Sequence, residues 1–179
     1  MDGPGPPVLD PAPAADERTT LLEFLQSQRD IVSWKLDGAS DDVLRSVSTP
    51  TGLTVHGLVR HLTDDERWWF RHRFAGEPEL TYHWSEADRN ADFRVVPGER
   101  IADLLATYVG ECAASDRAIA GHDLAEVGAD GRSSLRWVVV HMIEETARHL
   151  GHLDILRERA DGSTGADPMQ VKAEQEWGS

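Results

Sequence analysis

Residues 133–162 read SSLRWVVVHMIEETARHLGHLDILRERADG, and the periodicity of this stretch decides the fold. Leu135, Val138, Val139, Met142, Leu153 and Leu156 recur at three- and four-residue intervals, the signature of one buried helical face. Ser133 or Ser134 can cap the start of a helix that runs to about Arg159, and Gly162 lies just beyond its end. At about 100° per residue, Glu145 and His149 lie about 40° apart, one turn from each other. Leu135, Val138, Met142, Leu153 and Leu156 all fall within about 40° of His149. A carboxylate and an imidazole therefore stand in the middle of an apolar stripe.

Three more amphipathic segments precede this one. The first spans about Glu17 to Leu36, with Asp16 as cap, a stripe of Leu21, Phe24, Leu25, Gln28, Ile31, Val32 and Lys35, and a stop at Asp37-Gly38. The second starts after Pro50-Thr51-Gly52 with Thr54 as cap and continues to about Phe74. The third covers about Glu99 to Ala120, with Ile101, Leu104, Leu105, Tyr108, Cys112 and Ile119 on one side. No alternating strand pattern competes. The expected fold is all-α, a four-helix bundle, because four such stripes are hidden by packing on one another. The expected division is a disordered tail over 1–15, a bundle over 16–160 and a flexible tail over 161–179. A long connection from about Ala75 to Gly98 carries Tyr82, Trp84 and Phe93, and loops of that length often serve as lids.

Composition narrows the function. The chain has 179 residues, 32 acidic against 18 basic, and a net charge of −14. Such a surface repels phosphate backbones, which excludes nucleic acid as the expected partner. No run of about 18 apolar residues suggests a membrane span, and the first residues lack the basic start and apolar core of a secretory signal. A cytoplasmic location is expected. The single cysteine, Cys112, rules out an internal disulfide framework and reads as a buried thiol. Lysine occurs only at Lys35 and Lys172, and the arginine bias points to a GC-rich genome such as an actinobacterium's.

An ionised carboxylate inside an apolar stripe costs several kcal/mol unless it is paired or bound to a cation. Glu145 has two ways to be balanced: an arginine from another helix, or a divalent ion shared with His149. Glu144, about 100° further round, is expected on the wet surface. On the second helix, His61 lies on the flank of the stripe of Val55, Leu58, Leu62 and Trp69, whereas His56 points away and is expected to be solvated.

The segment Thr54-Val55-His56-Gly57-Leu58-Val59-Arg60-His61-Leu62, with Glu66-Arg67-Trp68-Trp69-Phe70 after it, resembles the second helix of the DinB/YfiT-like superfamily. Arg136-Trp137 through Glu144-Glu145-Thr146-Ala147-Arg148-His149-Leu150-Gly151-His152 resembles the last helix of its branch described as domain of unknown function 664. The resemblance spans roughly Glu17 to Arg159. It implies a four-helix bundle, often dimeric, with a zinc- or nickel-type site made of one His from the second helix and two ligands from the last. Many members carry His at both of those last positions. Glu145 at the first is similar to the His-Glu-His site of the mycothiol-dependent maleylpyruvate isomerases. By position the resemblance carries over His61, Glu145 and His149 as metal ligands. His152 and His141 flank the same face, as further ligands, supporting groups or a general base, with His152 the candidate catalytic residue. Asp65, one turn after His61, is placed to orient its imidazole.

The activity implied is transfer or isomerisation using a small thiol, with mycothiol as co-substrate and a small electrophile as partner. A non-catalytic metal-binding bundle of the stress response and a metal-dependent hydrolase are the alternatives.

Overall fold

The computed structural model describes residues 6–94 and 96–164; Trp177 and the rest of the C-terminal tail lie outside them. Five α-helices order the chain: α1 Glu17–Leu36, α2 Asp41–Arg45, α3 Val55–Glu66, α4 Ile101–Ala118 and α5 Leu135–Asp161. A π-helical segment, Arg67–Phe74, continues α3, and a single 3₁₀ turn, Ala91–Phe93, interrupts the long connection. The protein is all-α; among the described residues the only β features are two isolated bridges.

Local chemistry sets the helix ends. Asp16, Thr54 and Ser134 each accept the backbone N–H three residues on, satisfying a donor that the first turn leaves open. Gly162 closes α5 with φ +78°, a left-handed conformation that glycine adopts without strain. Cys112 is buried as expected, and burial pushes its thiol well above the usual range. Phe24 departs from expectation: it is 47% exposed, while Leu25, Ile31, Val32 and Leu36 carry the buried face of α1.

The long helices enclose a shared interior, α1 packing on α5, α5 on α3, α3 on α4 and α4 on α1. Two apolar clusters fill it. One joins Ile31, Leu36, Val55, Leu58, Leu62, Leu104, Leu153 and Leu156. The other joins Leu25, Phe70, Phe74, Leu135, Val138 and Met142. Between them the four long helices contribute polar side chains. Arg29 of α1 donates to both oxygens of Glu66 at 2.8 and 2.7 Å and to Asp116 at 2.8 Å. Arg67 and Arg71 grip the Glu111 carboxylate at 2.6 and 2.7 Å. The remaining corner of this polar layer, between α3 and α5, holds His61, Asp65, Glu145 and His149.

Helix α3 is the central element and is buried almost all round. The sequence expectation for His56 fails for that reason. Its ring is 3% exposed and bonded to Asp41 Oδ1 at 3.0 Å. Helix α2 covers the side of α3 that a two-faced helix would leave wet. Residues 6–15 run along α1, with the Leu9 and Ala12 N–H groups donating to Asp30 and Glu23. No helix among the described residues is long and apolar enough to cross a membrane.

Candidate metal centre

His61 sits in mid-α3 with its imidazole held at both nitrogens. Nδ1 meets Asp92 Oδ2 at 2.7 Å, and Nε2 meets Asp65 Oδ2, one turn further along α3, at 3.1 Å. Across the interface, the His149 ring stands edge-on to His61, centroids 4.7 Å apart. Ligand atoms of His61, Asp65 and His149 all lie within 4.8 Å of one another. Glu145 stands at the edge of this group, its Oε2 3.5 Å from His149 Nε2. Helix geometry accounts for the convergence: positions 61 and 65, like 145 and 149, are one turn apart, so each pair presents both side chains to the facing helix.

The electrostatics are lopsided. Burial pushes the Asp65 carboxyl up to about 7; the nearby His61 only partly offsets this, while Glu145, Asp92 and Asp64 add to it. Burial acts to lower the His61 imidazole, but the hydrogen bond to Asp92 and the charges of Asp65, Asp92 and Glu145 raise it above the ordinary value. His149 moves the other way. Burial, then the neighbouring positive charges of His61, His152 and Arg148, push it down to about 4, so its ring is neutral with a lone pair to offer. Its Nδ1 is buried without a hydrogen-bond partner. Among the described residues no arginine pairs with Glu145, Asp65 or Asp92; the arginine of the adjacent turn, Arg148, pairs outward with the exposed Glu144 at 2.7 Å.

These features suit a divalent cation. Zinc-type ions take imidazole nitrogen and carboxylate oxygen at about 2.0–2.2 Å, so the His-Asp-His group closes on one by small side-chain movements. The cation would balance Asp65, Asp92 and Glu145. Carboxylates one step behind a ligating imidazole, such as Asp92, are a regular feature of such sites.

The other histidines fall outside the group. His152 is exposed beside it, its ring 5.6 Å from that of His149. His141, one turn before Glu145, is stacked on Trp137 at 4.9 Å and meets the edge of Trp69 at 4.4 Å. Trp68 begins a second ring cluster with His72, Tyr82 and Trp84. Sequence reasoning missed Asp92. It lies in a connection with no periodicity, and its only local signal is an acidic residue flanked by Ala91 and Phe93. Asp65, expected to orient the His61 imidazole, meets its Nε2 at 3.1 Å.

Among curated proteins none matches the chain. The family model described as MST, mycothiol-S-transferase, matches residues 20–162, which take in every residue of the cluster. The chain belongs to the mycothiol S-transferase family, a DinB-like family.

Proposed function

We propose that the chain is a divalent-metal-dependent thiol transferase that joins mycothiol, or a closely similar small thiol, to a small electrophile. Zinc or nickel would be held by His61, His149 and a carboxylate supplied by Glu145, with Asp65 beside it. The observation that carries this is the half-buried His-Asp-His group with more carboxylates than cations around it. When bound, such an ion supplies Lewis acidity that favours thiolate over thiol at neutral pH. Thiolate is the nucleophilic form: the S–H bond breaks, the sulfur bonds to the electrophilic carbon, and that carbon gives up an electron pair, either to a leaving group or to an adjacent activated double bond that then takes the proton. His152, exposed with its ring 5.6 Å from that of His149, would carry that proton. Further along both helices, Trp69, His141 and Trp137 would offer ring faces for the electrophile, with Trp68 and Trp84 in the second ring cluster.

Metal content and turnover test the two halves of the proposal separately. Inductively coupled plasma mass spectrometry should find close to one metal ion per chain, depleted in His61→Ala, Glu145→Ala and His149→Ala. Undiminished metal in all three variants refutes the site. Mycothiol consumption with an activated electrophile should require the metal. A metal-loaded chain inert across a broad panel of thiols and electrophiles refutes the transferase.

A further inference from the structure

The long connection does more than join α3 to α4. Its 3₁₀ turn places Asp92, 2% exposed, against His61, and Phe93 lies over the same imidazole with centroids 4.4 Å apart. Among the described residues, His61 is the one polar partner of the Asp92 side chain; Oδ1 is buried and unbonded. The turn reaches this depth because residue 57 of α3 has no side chain. A Cβ at Gly57 would stand 2.6 Å from the carbonyl oxygen of Phe93 and 2.9 Å from its Cα. Glycine in a helix interior is unfavourable by roughly 0.5–1 kcal/mol relative to alanine, so its presence one turn before His61 calls for a packing reason. Contact with the backbone of the connection supplies one.

We infer that Asp92 is a positioning residue for His61. By accepting the Nδ1 proton it selects the tautomer whose Nε2 lone pair faces Asp65 and His149, and the seat of Phe93 on Gly57 keeps it there. This rests on the metal site proposed above and adds a claim that site does not require: metal affinity depends on a loop residue that touches no metal and on a glycine that touches no ligand. The chemistry is directional. A histidine offers one nitrogen to a cation only when the other carries the proton, and a buried carboxylate is the strongest local means of fixing which.

Zinc affinity of the full chain, measured by chelator competition, tests the inference in Asp92→Asn and Gly57→Ala. Loss of such a supporting carboxylate typically weakens metal binding by about 10- to 100-fold, which is the expected effect of Asp92→Asn. Gly57→Ala should weaken zinc binding in the same direction, and the double variant should be no worse than the weaker single, because both changes remove one interaction. Circular dichroism and melting curves should stay close to wild type for Asp92→Asn, separating the loss from general destabilisation. In zinc-loaded protein labelled with ¹⁵N-histidine, His61 should carry its proton on Nδ1. Zinc affinity within twofold of wild type in Asp92→Asn overturns the inference, as does a proton on Nε2. Should Gly57→Ala fail to fold, Asp92→Asn and the proton assignment decide alone. A wild-type chain that takes up no zinc removes the metal site and this inference together, whereas wild-type uptake lost in His61→Ala but unchanged in Asp92→Asn removes the inference only.

Discussion

Chelation should lower the melting temperature of this protein, and it should do so through one corner of its interior. The ligand candidates come from α3 and α5, which are separated by the long connection, α4 and the loop after it, so an unfolded chain offers no assembled site. A ligand that binds only the folded state stabilises it by about 2.7 kcal/mol when free ligand stands at 100 times the dissociation constant. For a chain of this size each kcal/mol shifts the midpoint by about 2–4 °C, so stripping the metal should cost about 5–11 °C. Differential scanning calorimetry at fixed pH, with and without chelator and then with zinc or nickel restored, measures the shift. Asp65→Asn sharpens the test because its two effects have opposite sign. Without metal, Asp65 is a half-buried carboxylate crowded by Glu145, Asp92 and Asp64 and opposed only by His61, so neutralising it should stabilise the stripped protein. With metal present, the same change removes a negative group beside the ion and should shrink the shift. A full shift in His149→Ala, or a wild-type midpoint indifferent to chelator after proven metal removal, would refute the reasoning.

Three further outcomes follow from groups around the site. Arg29→Met should destabilise the fold by about 3–5 kcal/mol in urea titrations, because it strands the fully buried Glu66 carboxylate; Arg29→Met with Glu66→Leu should recover much of the loss, and additive losses would contradict this. His152→Gln should leave metal content intact and lower kcat by about 100-fold if its ring carries the thiol proton, with unchanged kcat assigning that role elsewhere. Burial acts to raise the Asp130 carboxyl, but the backbone N–H groups of Ser133 and Arg132 and the side chains of Arg73 and Ser133 hold it far below its ordinary value of 3.8. Its folded-state value is therefore depressed, so its contribution is complete above pH of about 4 and lost as pH falls further; Asp130→Asn should flatten the acid limb of a stability–pH curve between pH 5 and 2.

The boundaries of α1 and α5 were legible because caps are local. Asp16 and Ser134 each bond a backbone N–H three residues on, and Gly162 supplies the left-handed turn, so no distant contact is needed to place those ends. The inward turn of Glu145 and His149 was legible from the helical period alone. His56 was not, because its burial depends on α2, a five-residue helix too short to leave a periodic signal, and on Asp41 within it. A helical wheel assumes one wet face, and α3 has almost none. Asp92 was invisible for a related reason. Its position is fixed by a tertiary contact at Gly57, and nothing in the sequence links residue 57 to residue 93.

The polar layer explains why the site lies where it does. Charged groups lie between the two apolar clusters, and the interior tolerates them only when balanced. On the α1–α4 side the balance is internal: Arg29 meets Glu66 and Asp116, and Arg67 and Arg71 meet Glu111. Those guanidiniums are thereby committed. The α3–α5 corner is left with Asp65, Asp92 and Glu145 against two imidazoles, one of which is neutral at physiological pH because burial and its cationic neighbours disfavour the proton. Packing alone would have favoured leucine there, as it does one turn further along α5 at Leu153. A chain that spends arginines on one side of the layer and withholds them from the other has left room for a positive charge that it does not itself encode.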